Sequence, residues 1–186
     1  MDFKPLVTLL AIVNPLAIVP FFIHYTQGFS KAQRRKTVVT ASFSAFVVIA
    51  ISALLGLKIL DFFSISLASF QVGGGMLLLI SAMNMLNAQP AEAKASTHDL
   101  EDGAEKAAMG ASIAVVPLTI PLLTGPATMS TVVIYAEKAK TFWQLGTLVG
   151  YGLVIGLATA VAFSLAEPIG RVLGKTGINV MTRLMG

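Results

Sequence analysis

Two proline pairs carry the chemistry this sequence is equipped to do. In "IVNPLAIVPFF" Pro15 and Pro20 are separated by four residues, and in "TIPLLTGPATM" Pro121 and Pro126 have the same separation. The second pair sits in "SIAVVPLTIPLLTGPATMSTVVIYA", residues 112–136, an uncharged run long enough to cross a bilayer that also holds Pro117. A proline inside a helix removes one backbone hydrogen bond and clashes with the carbonyl four residues back, costing roughly 3 kcal/mol or more. In hydrocarbon the freed groups have no water to turn to, so unwound backbone is tolerated only where protein or a water-filled cavity surrounds it. The pairs therefore predict discontinuous helices or re-entrant hairpins that face the protein interior. Broken helix ends expose amides, carbonyls and partial charge, which bind a polar solute without any ionised side chain. The candidate ligands are the backbone around Pro15, Pro20, Pro121 and Pro126, with Asn14 and Thr124 as polar side-chain contacts and Gly125 allowing close approach. Thr128, Ser130 and Thr131 are placed to bond freed carbonyls or the solute. A lone proline reads more simply as a kink, since proline is frequent in membrane helices; the pairing is what favours a site.

Other chemistries find no support. The chain has no cysteine, which excludes disulfides, thiol catalysis and thiolate metal sites. His24 and His98 are far apart, with no HExxH and no carboxylate pair inside a span, so no metal is expected. Serines and threonines are abundant, but no base and orienting acid can be placed beside one, so no catalytic residue and no enzyme is expected. Gly73, Gly74 and Gly75 open an apolar run without the Lys-Ser/Thr pair or preceding strand of a phosphate loop. Their expected role is to let a neighbouring helix approach closely. Gln71 and Asn84, in the same run, are candidates for interhelical hydrogen bonding or cavity lining. Asp61 and Glu167 lie near span ends, which argues against a buried carboxylate relay and leaves ion coupling through carbonyls open. No cofactor is implied.

The elements that position these residues follow from hydropathy. A mean hydropathy of +0.81 with only 12% charged residues marks an integral membrane protein, because a soluble chain would need more charge to cover its surface. Runs long enough to span occur at Pro5 to Tyr25, Val38 to Leu57, Ile65 to Leu86, Met109 to Ala136 and Phe142 to Leu165, and a sixth begins near Ile178. The first run has no basic leader and no cleavage site, so it reads as a retained span. The polar stretch after the third run divides the chain into a first repeat (1–88), a loop (89–108) and a second repeat (109–186). Lys31, Arg34, Arg35, Lys36, Lys94, Lys106, Arg171 and Lys175 fall on one side, against Lys4, Lys58, Lys138 and Lys140 on the other. By the positive-inside rule the N-terminus is then outside and the 89–108 loop cytoplasmic. The same clustering explains the net charge of +4 without a nucleic-acid partner. Each proline pair opens its half, and a half that spans three times is odd. A duplicated second half would therefore enter from the opposite side, the inverted-repeat plan of many transporters. Trp143 and Tyr135 flank an outer loop as interfacial anchors.

"AIVNPLAIVPFF", "FQVGGGMLLLISAMNML" and "VPLTIPLLTGPATM" resemble the MarC family of bacterial inner-membrane proteins, part of a grouping similar to the LysE-type exporters. The resemblance runs from about Phe3 to the C-terminus, and its specific motifs are NP-x4-P and PL-x-IPLL-x-GP. It implies six helices in two three-helix repeats, and some relatives resemble transporters of small neutral amino acids. The chain departs from that pattern after "INVMTRLMG", where relatives continue through a further apolar helix. The expectation is thus an all-α polytopic inner-membrane protein of two inverted three-helix repeats, each with a proline-broken first helix, and with the sixth helix absent. Its expected partners are the lipid bilayer and a small neutral or zwitterionic solute, with homo-oligomerisation left open. The competing reading is a membrane scaffold or accessory subunit with no substrate.

Overall fold

The computed structural model describes residues 3–26, 29–87 and 123–185. Among them are α1 (Lys4–Val13), α2 (Pro15–Tyr25), α3 (Lys31–Phe62), α4 (Leu67–Leu86), α5 (Pro126–Glu137), α6 (Phe142–Ser164) and α7 (Ala166–Met185), and no strand. The 89–108 loop and the first part of the fourth span, including Pro117 and Pro121, lie outside the described residues. α3 and α6 are each long and apolar enough to cross a bilayer. α3 runs well beyond the Val38 to Leu57 core expected from hydropathy, because Ser30 and Gln33 form a reciprocal capping box that starts the helix among its basic residues. α7 already begins at Ala166 and passes through the expected sixth start at Ile178. It bends at Gly174, where φ 56 and ψ −177 are open only to glycine.

The most extensive helix pairing is α3 on α6, and it rests on small residues. The buried stripe of α3 includes Ala41, Ser42, Ala45, Ser52, Ala53 and Gly56 at helical spacing. Opposite it, a Cβ built on Gly156 would lie 2.9 Å from the Ser42 carbonyl oxygen, and one on Gly152 2.8 Å from Ile49 Cγ2. Apolar side chains gain nothing by leaving lipid for one another, so close backbone approach is what holds such helices together. The outward faces of α3, α4 and α6 carry exposed Phe43, Leu54, Met76, Leu79, Leu157 and Val161. That apolar belt is the lipid-facing surface.

The two ends of the bundle are distinguishable. At one, Lys4 of α1 lines a cleft with Tyr135 and Lys138 of α5 and Trp143 of α6. At the other, Arg34 pairs with Glu167 and also donates to the Thr26 carbonyl, tying the starts of α3 and α7 to the end of α2. Below that tie the rings of Phe22 and Phe163 stack with centroids 4.5 Å apart, both fully buried. α2 therefore runs away from the Lys4 end while α5 runs toward it. Lys31, Arg34, Arg35 and Glu167 share one end, and Lys4 and Lys138 the other, the same grouping that the charge count makes.

Candidate functional site

The first span is interrupted at Asn14, directly before Pro15. Pro15 has no N–H to give the carbonyl four residues back, so α1 stops there, and its fixed φ suits the first position of α2. Asn14 takes a left-handed conformation, φ 40 and ψ 70, and its N–H donates to the Leu10 carbonyl at 3.0 Å. Among non-glycine residues asparagine tolerates this region best. The Ala17 N–H donates to the Asn14 carbonyl at 3.1 Å and, at 3.4 Å, to its side-chain Oδ1. The side chain thus leans over the start of α2. Its Nδ2 is buried and has no hydrogen-bond partner among the described residues, with Asn14 only 3% exposed. An unsatisfied buried amide of this kind costs about 1–3 kcal/mol, so the break holds a donor in want of an acceptor.

In the second half the described residues resume at Leu123, and a helix starts directly after Gly125. α5 starts at Pro126, with Gly125 as its N-cap, and the Gly125 carbonyl accepts from Thr128 N–H at 2.9 Å. Gly125 has φ −65 and ψ 177, extended backbone that any residue preceding proline adopts. The left-handed position therefore belongs to Asn14, and the conformational freedom of Gly125 is not what makes its break. Of the four paired prolines, Pro121 lies outside the described residues. Pro15 and Pro126 are the residues that head helices, whereas Pro20 lies within the continuous backbone of α2. Pro20 withholds an N–H from the Leu16 carbonyl without ending the helix.

Depth places the two breaks in one layer. Thr8 Oγ1 and the Tyr135 hydroxyl are 3.1 Å apart, linking α1 to α5. From that link Asn14 is about 9 Å along α1 and Pro126 about 13 Å along α5, at roughly 1.5 Å per residue. Asn14 is in turn about 18 Å from Thr26 at the opposite end, near the middle of a hydrocarbon core of about 30 Å. Around this level the interior is polar: Thr124, Thr128, Ser130, Thr131 and Thr159 are buried. Thr131 and Thr159 donate to the carbonyls of Ala127 and Ile155 in their own helices, and Thr128 to Leu123 at 3.4 Å. Thr124 is fully buried and also engaged. Ser42 Oγ is a further buried polar atom left without a partner among the described residues. Sequence reading passes over Ser42, since nothing but its neighbours distinguishes it from the other small residues of α3.

α4 meets this layer through one glycine. A Cβ on Gly74 would come within 2.7 Å of the Ser130 Cβ, while one on Gly73 or Gly75 would meet nothing within 4 Å. The packed stripe of α4 is Leu67, Phe70, Gly74 and Leu78, which leaves Gln71 exposed on its flank with no interhelical bond among the described residues. The side chains of Asn84 and Pro20 lie outside the described residues. Among those that are described, no group of His, Asp or Glu is arranged to hold a metal.

The profile of the MarC family integral membrane proteins matches residues 2–186. The UPF0056 membrane protein YhcE of Escherichia coli is 36% identical over 187 residues, covering 99% of this chain and 84% of the relative. YvbG of Bacillus subtilis is 34% identical, covering 97% of this chain and 84% of its own length. A UPF0056 membrane protein of Archaeoglobus fulgidus is 32% identical, covering 98% and 84% respectively. These names state a membrane protein and no activity. No solved structure matches the chain.

Proposed function

The chain belongs to the MarC family of integral membrane proteins, and from that premise we propose that it translocates a small neutral or zwitterionic solute, such as a neutral amino acid. The observation that carries the reading is the Asn14 Nδ2, unpartnered among the described residues and buried at mid-depth where the first span breaks. Within a few residues the break offers the carbonyl end of α1 and the amide end of α2, which carry opposite partial charges. A zwitterion is matched to such a pair: its ammonium group meets carbonyls, and its carboxylate meets amides and Asn14 Nδ2. Thr124, Gly125 and Pro126 supply the second wall. The opposed directions of α2 and α5, each headed by a proline, support two inverted repeats with the solute site between them. In this reading the Lys4 end faces outward in a bacterial inner membrane, and no catalytic step is involved.

Counterflow in proteoliposomes, with a panel of labelled neutral amino acids, tests the proposal. Exchange of any member that is lost in Asn14→Gly and in Thr124→Val, with membrane abundance retained, supports it. Silence across the panel would favour the scaffold reading. Normal exchange in both variants would place the solute elsewhere.

A further inference from the structure

We propose that the cleft at the Lys4 end of the bundle is a binding site for an oxyanion, a carboxylate or phosphate, carried on an apolar or aromatic body. Its volume is about 800 Å³, within the roughly 300–1,000 Å³ of small-molecule pockets. Three helices converge on it: α1 brings Lys4, α5 brings Tyr135 and runs out into Lys138, and α6 brings Trp143, Thr147 and Tyr151. The last three are four residues apart and so share one face of α6. Among the described residues the lining holds two ammonium groups and no carboxylate, and Lys138 makes no ion pair. α1 and α6 begin beside the cleft, the latter capped by Thr141, with N-terminal partial charges of the lysines' sign, and Lys138 covers the opposite partial charge at the end of α5. Like charge gathered in a concave, partly apolar wall draws and holds an anion. Two of the walls are held in place: the Tyr135 hydroxyl is bonded to Thr8, and Gln144 Oε1 accepts the Lys140 N–H at 2.6 Å. The exposed Trp143 indole and the half-buried Tyr135 ring beside the ammonium groups receive the apolar body.

This site shares no residue with the mid-depth breaks. Lys4 is ten residues ahead of Asn14, about 15 Å along α1. Binding here is therefore measurable whether or not the chain transports anything. The oxyanion has two sources, a free solute and the headgroup of an anionic lipid.

Trp143 is the single tryptophan of the sequence, so its emission reports on the cleft directly. The chain in phosphatidylcholine nanodiscs is titrated with phenyl phosphate, with benzylamine as the cationic control. A saturable change in Trp143 emission with phenyl phosphate alone is expected, with affinity at least tenfold weaker in the Lys4→Gln/Lys138→Gln double variant. Lys140→Gln, which alters an exposed lysine outside the lining, is expected to titrate like the parent. Weaker phenyl phosphate binding in phosphatidylglycerol nanodiscs, with that competition relieved in the double variant, would support the site and identify the lipid headgroup as its source. Equal affinities in the two lipids would support a free solute. No saturable change in either lipid, an equal response to benzylamine, or parent-like affinity in the double variant would overturn the proposal.

Discussion

Asn14→Gly and Asn14→Ala together separate the backbone role of Asn14 from its side-chain role. At φ 40 an alanine bears the left-handed penalty of about 1–2 kcal/mol, and a glycine does not. Deleting the side chain forfeits little bonding, since the Oδ1 contact to Ala17 N–H is long at 3.4 Å and the same N–H keeps the Asn14 carbonyl at 3.1 Å. Deletion also removes the unpaired Nδ2, whose burial costs about 1–3 kcal/mol in the solute-free protein and offsets the small void left behind. The glycine variant is thus expected within about 1 kcal/mol of the parent, and the alanine variant about 1–2 kcal/mol below the glycine. Solute binding should divide differently. A hydrogen bond to a charged group contributes about 1.5–3 kcal/mol, so both variants should lose about ten- to hundredfold in affinity. Thermal unfolding in detergent measures the first quantity, and half-saturation of counterflow the second. Parent-like half-saturation in Asn14→Gly would refute Asn14 as a ligand; equal stability of the two variants would refute the backbone account.

Gly156→Ala should destabilise by about 1–3 kcal/mol, because the new methyl meets the Ser42 carbonyl and no rotamer change can clear a backbone atom. Gly150→Ala, on the same helix with nothing within 4 Å, should instead be neutral or stabilising by up to about 1 kcal/mol, read by the same unfolding assay. Gly74→Ala should lower stability and Gly75→Ala should not; equal effects would sink the close approach of α4 to Ser130. Glu167→Gln should cost no more than about 1 kcal/mol despite the ion pair to Arg34, since the two side chains are 54% and 30% exposed.

How much of this was legible depended on the kind of signal. Asn14–Pro15 was readable as a break because a proline cannot donate, and that is true in any context. Pro20 obeys the same chemistry yet sits inside α2, and Pro126 heads α5 while Pro121 lies outside the described residues, so a proline alone does not say where a span is interrupted. The Gly73 to Gly75 run announced close packing without saying which glycine. Helical geometry turns only Gly74 toward Ser130, and that face is chosen by the neighbour. Trp143 and Tyr135 were readable as interfacial aromatics, while the cleft they line requires Lys4 from the far end of the chain.

The sequence by itself determined that this is an integral membrane protein, that the first span is interrupted at its proline pair, and that its cations group at two ends. Composition, missing donors and side-chain charge are local properties, and a bilayer enforces them wherever the residues are. Only the tertiary structure decided that Asn14 rather than Gly125 takes the left-handed position, that its Nδ2 is sealed without a partner among the described residues, and that Arg34 finds Glu167. Each of these depends on what packs alongside, on helices more than one hundred residues apart in sequence.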